Sequence, residues 1–300
     1  MLRDDFHANQ PVVPHGPSEV PLLQRVFHPS DFSDASDTAF AHALVIALMA
    51  KATLTILHVS DRGNGSWTDF PGVRDTLERW GLLPRNSERA DVSKLGINVH
   101  KVQMTHDDPV TSITNYLDTH GTDLIVLATD QQKWGIPWFN RSVATGVART
   151  SREMTLFIPK GTKGFVSLED GAISLKNILI PVATVPSAQP AIHAVARLIS
   201  GLHCDSGLCT VLHVGEEDGP QLAYPQVAGW RWNRMTKSGD VIDVVNQVAR
   251  EIDADLIVMT TDGRNGWVDA VCGSHSERVL RESRCPLLTI PVDGWMVTVL

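Results

Sequence analysis

The features best suited to holding a ligand lie between residues 260 and 275. Thr260 and Thr261 end an apolar run, and Asp262, Gly263 and Arg264 follow. Cys272, Gly273, Ser274 and His275 close the segment. Gly263 can take a left-handed turn, and Gly273 has no Cβ to keep a ligand off the backbone. Ser274 can open a helix, with His275 in its first turn. Free N–H groups at a helix start, with the positive end of its dipole, favour phosphate. Arg264 adds charge. A glycine-rich turn with a serine cap and no ligand would need the same residues, so both readings stand at this level. Asp31, in Asp31-Phe32-Ser33-Asp34, suits either a ligand contact or the start of a helix.

Other constellations carry less. His58 and His213 occupy equivalent strand ends, where a partly buried, hydrogen-bonded imidazole is the expected state. His203, Cys204, Cys209 and His213 have metal-capable side chains. Cys204 falls in a turn, and the spacing matches no common zinc pattern, so no metal site is expected. Cys272 directly precedes Gly273, where a helix start would lower a thiol pKa and make it redox-sensitive. The clusters Trp230–Trp232 and Trp134–Trp138 suit packing or a partner surface. No nucleophile elbow, Walker loop or zincin motif is present. Ser274, His275 and Glu277 point in different directions on one helix, which argues against a catalytic triad.

An internal repeat supplies the elements that position these residues. Asp123-Leu-Ile-Val-Leu-Ala-Thr-Asp130 recurs as Asp255-Leu-Ile-Val-Met-Thr-Thr-Asp262, and Thr155–Pro159 recurs as Leu287–Pro291 at the same offset. Upstream, Leu57-His58-Val59 matches Leu212-His213-Val214, and Pro29 matches Pro181. These offsets are larger, so the first copy holds roughly twenty extra residues between about Asp61 and Leu95. Short apolar runs at 26–29, 53–59, 178–182 and 209–214 read as strands. Helical spacing recurs at 35–51, 110–120, 191–202 and 241–252, with Ser33 or Asp34 as a cap for the first. Two further helices are expected to open at Ser142 and Ser274. Strands alternating with helices imply parallel sheets covered on both faces, with ligands beyond the C-terminal strand ends at the topological switch point.

Composition narrows the partners. The chain has 300 residues, 43% hydrophobic and 20% charged, with a net charge of −8. Its acidic balance argues against nucleic acid. The longest apolar stretch, 39–50, is too short to span a bilayer. No apolar leader follows Met1 and the four cysteines form no disulfide framework, so a cytoplasmic setting is expected. Residues 1–20, with Pro11, Pro14 and Pro17, read as a loose arm.

The loop resembles that of the universal stress protein family, whose nucleotide-binding members show G-x-x-G-x9-G-[ST]. The second copy reads Thr260-x-x-Gly263-x9-Gly273-Ser274, departing only at the first glycine. The first copy reads Ala128-x-x-Gln131-x9-Arg141-Ser142 and keeps only the last position. Gly273–Leu280 and Cys285–Ile290 are similar to the family's helix and last strand. The resemblance implies two α/β, Rossmann-like domains, each a parallel five-stranded sheet flanked by helices, over 21–165 and 166–300. It implies pairing through the last strands within one polypeptide, a pseudo-dimer, with a homodimer also open. It also implies that an Asp after the first strand meets the adenine side. The first copy has that Asp as Asp31; the second has Ala183.

The expected function is a stress-response regulator that binds ATP, or AMP or ADP, best in the second copy through Thr260, Gly263, Arg264, Gly273, Ser274 and His275. In the first copy Asp31 and Ser142 are the candidates. A ligand-free interaction module with unknown protein partners is one alternative. A slow ATP-hydrolysing enzyme is another, though the chain lacks the phosphate motifs of that class.

Overall fold

The computed structural model describes residues 23–60, 67–106, 108–129, 146–147, 153–216, 218–261 and 275–292. The first half contains β1 (Arg25–Pro29), α1 (Asp34–Ala50), β2 (Thr53–Ser60), α2 (Val73–Arg79), α3 (Arg89–Lys94), β3 (Asn98–Thr105), α4 (Pro109–His120), β4 (Leu124–Thr129) and β5 (Met154–Pro159). The second contains β6 (Asn177–Val182), α5 (Gln189–Gly201), β7 (Gly207–Val214), β8 (Trp230–Lys237), α6 (Val241–Glu251), β9 (Leu256–Thr261), α7 (His275–Glu282) and β10 (Leu287–Pro291).

All ten strands form one sheet in the order β3-β2-β1-β4-β5-β10-β9-β6-β7-β8. Each half is a parallel five-stranded array with the same internal order. The halves meet where β5 and β10 run antiparallel, with Leu156 opposite Leu288 and Phe157 opposite Leu287. The expected pairing of last strands within one chain is therefore present. The roughly twenty extra residues of the first half include α2 and α3.

The inner strands β4 and β9 are apolar on both sides because helices cover both faces. Leu124, Val126, Leu256 and Val258 join α1 and α5 in one core, with Leu44, Ile46, Ile192 and Val195. Ile125, Leu127, Ile257 and Met259 join α4, α6 and α7 in the other, with Ile113, Val245 and Val279. The edge strands β3 and β8, which have no continuous apolar run, were not singled out as strands in the sequence. On β8, Trp230 is buried, and its indole N–H donates to the Cys204 carbonyl at 3.0 Å, while that of Trp232 donates to the Pro225 carbonyl. This cluster packs against its own half. No helix among the described residues is long and apolar enough to cross a membrane.

Local chemistry sets the element ends. Ser33, rather than Asp34, caps α1 and accepts the Ser36 N–H, while Lys51 closes the helix in a left-handed conformation. Asp108 caps α4 ahead of Pro109, and Asp240 caps α6 by accepting from Ile242 and Asp243. The repeated aspartate has a structural duty in both halves. Asp123 Oδ2 accepts the Gln24 and Arg25 amides at 2.8 Å, and Asp255 Oδ2 accepts those of Lys176 and Asn177 at 2.8 Å. Each carboxylate thus clamps the start of the neighbouring strand. Asp255→Ala is expected to cost about 2 kcal/mol, read as a lower urea midpoint, because two amides lose a charged acceptor.

The connection between the halves leans on the first. The Trp80 indole donates to the Leu168 carbonyl, and the Phe165 amide donates to His42 Nε2 at 3.0 Å. His42 Nδ1 donates to the Thr38 carbonyl at 2.7 Å, so the imidazole is a neutral bridge.

Candidate functional site

In each half the strand order reverses beside the first strand: β1 lies between β2 and β4, and β6 between β7 and β9. The crevices at the C-terminal ends of these pairs are the places for a ligand. The loop after β1 is Ser30-Asp31-Phe32-Ser33, and the loop after β6 begins at Ala183.

Asp31 is exposed at this end, and its Oδ1 accepts both the Ser33 amide at 3.1 Å and the Ser33 hydroxyl at 2.6 Å. It braces the capping serine and is not itself the cap. Behind it runs a chain of hydrogen bonds. The Phe32 amide donates to Ser30 Oγ at 3.3 Å, and Ser30 Oγ meets Ser36 Oγ at 3.1 Å. Ser36 Oγ meets His28 Nε2 at 3.3 Å, and His28 Nδ1 donates to the Val126 carbonyl at 3.0 Å. Because a carbonyl only accepts, Nδ1 carries the proton and neutral Nε2 accepts from Ser36. Burial drives the His28 pKa down to about 4, opposed by the Val126 bond and by Asp31. The second half has fully buried Ile180 at the matching place and no such network there.

The paired histidines behave as expected. His58 Nδ1 donates to the Ser30 carbonyl at 2.8 Å, and His213 Nδ1 to the Val182 carbonyl at 3.3 Å. Their surroundings differ. Phe32 stacks on His58 with centroids 3.9 Å apart. Against His213 lie the backbones of Gly215 and Gly219, where a methyl group on Gly219 would fall 2.7 Å from the His213 Cβ.

Two hydroxyls mark the other side of the crevices. Thr129 ends β4 and Thr261 ends β9, at equivalent positions in the repeat. Both are about 95% buried, and neither Oγ1 has a hydrogen-bond partner among the described residues. Strand alternation places Thr261 on the same side as Ile257 and Met259, the face that α7 covers. Leaving such a hydroxyl unpaired costs about 1–3 kcal/mol, so each calls for a partner. The recurrence of threonine at 129 and 261 is the sequence signal for these hydroxyls.

Thr260 is half-buried beside Thr261 on β9, and His275 is exposed at the start of α7. Gly263, Arg264, Cys272, Gly273 and Ser274 lie outside the described residues, as do Arg141, Ser142, Trp134 and Trp138. The remaining cysteines are free thiols. Burial pushes Cys204 and Cys285 up to about 11 and Cys209 up to about 12, which keeps them protonated and unreactive near neutrality. Among the described residues, no three His, Cys, Asp or Glu side chains gather as a metal site.

Comparison with solved structures gives the same architecture. A universal stress protein from Archaeoglobus fulgidus DSM 4304 aligns with 90% of this chain and 96% of its own, at 17% identity and TM-score 0.58. A protein assigned to the same family from Pseudomonas aeruginosa UCBPP-PA14 aligns with 91% and 94%, at 15% identity and TM-score 0.57. A universal stress protein solved in complex with cAMP covers 46% of this chain at 23% identity and TM-score 0.31. No curated protein matches the sequence. The Universal stress protein family matches residues 23–159, the whole first array, and 231–291, the β8 to β10 part of the second. With most of its length matched in two separate segments, the chain belongs to the universal stress protein family.

Proposed function

We propose that this chain is a non-enzymatic stress-response regulator that binds an adenine nucleotide in the crevice of its second half. The two working units are residues 21–165 and 166–300. The observation that carries the reading is Thr261, a buried hydroxyl without a partner among the described residues, at the end of β9. It lies on the α7 face, at the topological switch point, where the chain leads into Gly263, Gly273 and Ser274. A phosphate held by the backbone around Gly273 and Ser274, with Arg264 beside it, would meet the positive end of α7. Thr260 and His275 bracket that loop in the sequence. The equivalent position after β1, occupied in the first half by Asp31, is Ala183 in the second, so recognition there rests more on phosphate than on the base.

The test is calorimetric titration with ATP, preceded by identification of any nucleotide released on denaturing the purified protein. About one nucleotide per chain is expected. Gly273→Val should weaken ATP at least a hundredfold, because a branched Cβ blocks approach to the backbone. Thr261→Val should weaken ATP about tenfold and yet stabilise the ligand-free protein by about 1 kcal/mol, since the unpaired hydroxyl is removed. No binding to the unaltered chain, or unchanged affinity in both folded variants, would overturn the reading.

A further inference from the structure

In the first half an aromatic side chain packs just beyond the end of β1. Phe32 has φ 60°, a left-handed backbone that bulky side chains rarely adopt. Such strain persists only where the surroundings impose it, and it gathers at ligand clamps and switches. The surroundings here are aromatic. The Phe32 ring lies on His58 at 3.9 Å and 18°, a near-parallel stack. Phe70 closes edge-on at 5.3 Å from Phe32, and Trp67 stacks on the outer side of Phe70 at 5.4 Å. Lys101 Nζ stands over the Phe70 ring at 5.8 Å. Trp67 and Phe70 belong to the stretch by which the first half is longer than the second.

The second half shows what is particular to this arrangement. There Ala183 begins the corresponding loop, and glycine backbone rather than an aromatic ring lies against His213. Yet the first half retains a buried hydroxyl without a partner among the described residues, Thr129, at the same place as Thr261. A crevice that had been fully rebuilt as core would have no reason to leave that group unpaired. Thr129 lies with Ile125 and Leu127 on the α4 face and Phe32 packs on the α1 face, so the two border the strand ends from opposite sides.

We propose that Phe32 is a removable plug, its ring holding against His58 the place of the planar base of a purine nucleoside, so that the first half binds the nucleoside only after Phe32 swings out. The proposal rests on reading the crevices as nucleotide sites. The stack on His58 is intramolecular, so a free base competes with a partner that is always present. Apparent affinity then falls by the fraction of molecules in which the plug is open. The plug also has a connection to the sheet. The Phe32 amide is hydrogen-bonded to Ser30, and the chain of hydroxyls continues through Ser36 and His28 to the Val126 carbonyl on β4. Outward movement of Phe32 therefore pulls on groups between β1 and β4.

The experiment titrates adenosine into full-length protein carrying Gly273→Val, with Phe32 intact or replaced. Phe32→Gly removes the ring and suits the left-handed backbone, and Phe32→Asn tolerates the same conformation. Both should remain folded by circular dichroism and bind adenosine at least tenfold more tightly than the Phe32 parent. If both folded variants bind adenosine no more tightly than the parent, the plug is refuted. It is also refuted if the parent saturates with adenosine while Phe32 and His58 still show ring-to-ring nuclear Overhauser contacts. The second-half reading is judged separately, by ATP on protein with Gly273 intact, so either can fail without the other.

Discussion

Acidification from about pH 7 to about pH 4.5 is expected to remove roughly 4–5 kcal/mol of folding free energy, a large share of what a domain of this kind possesses. The cause is a pair of buried neutral histidines in the first half. His28 and His42 are each held down to about 4, first by burial, against 6.5 for the free side chain. A group with a lowered folded pKa binds fewer protons folded than unfolded between the two values. The stability it supports is complete above about pH 6.5 and falls as the pH drops toward 4, by roughly 2 kcal/mol per histidine over this interval. Exposed carboxylates held below their usual range, such as Asp91 and Asp108, add their loss only at lower pH. The measurement is urea denaturation across this range. His28→Gln and His42→Gln should each flatten the slope by about half, whatever they do to absolute stability. A slope unchanged in both would assign the acid sensitivity to other groups.

Truncation at the centre of the ten-stranded sheet is the second large effect. Leu156 on β5 and Leu288 on β10 are register partners across the antiparallel seam, and both are buried. With Ile46 from α1, Leu198 from α5 and Phe165 from the connection, they border an apolar cavity of about 20 Å³. Leu156→Ala and Leu288→Ala should each cost about 3 kcal/mol, because the removed atoms enlarge a void that fixed backbone cannot close. The double variant should cost less than the sum by at least about 0.5 kcal/mol, since residues in contact share one cavity. Additive losses would mean that the two halves pack independently at the seam.

The inner architecture was legible because the inner strands are apolar on both faces. Leu124–Ala128 and Leu256–Met259 read as buried parallel strands, and their recurrence announced the two arrays. Helices α1, α4 and α6 were marked by spacing, and α1 also by Ser33. The edge strands were harder. On β3, Asn98, His100, Lys101 and Gln103 interrupt the apolar residues because the far side of an edge faces solvent. The candidate site was legible only in part. The glycine loop is a motif of spacing, readable without coordinates. Thr129 and Thr261 matter because burial strands their hydroxyls, and burial is a property of the assembled sheet. Phe32 looked like one apolar residue among helix-start residues. Its stack depends on His58 and Phe70, which only the fold brings to it.

The seam between β5 and β10 has one more consequence. When two separate copies of one subunit meet edge to edge, every substitution appears twice, and both members must tolerate it. Here Phe157 faces Leu287, whereas their repeat equivalents, Thr289 and Thr155, face each other on the other side of the seam's centre. Each location in the sheet can therefore vary alone, its counterpart remaining as it was. The unlike fates of His28 and Ile180, and of Phe32 and Thr184, are of the kind this freedom permits. A polar network and an aromatic cover can be confined to one half of a single continuous sheet.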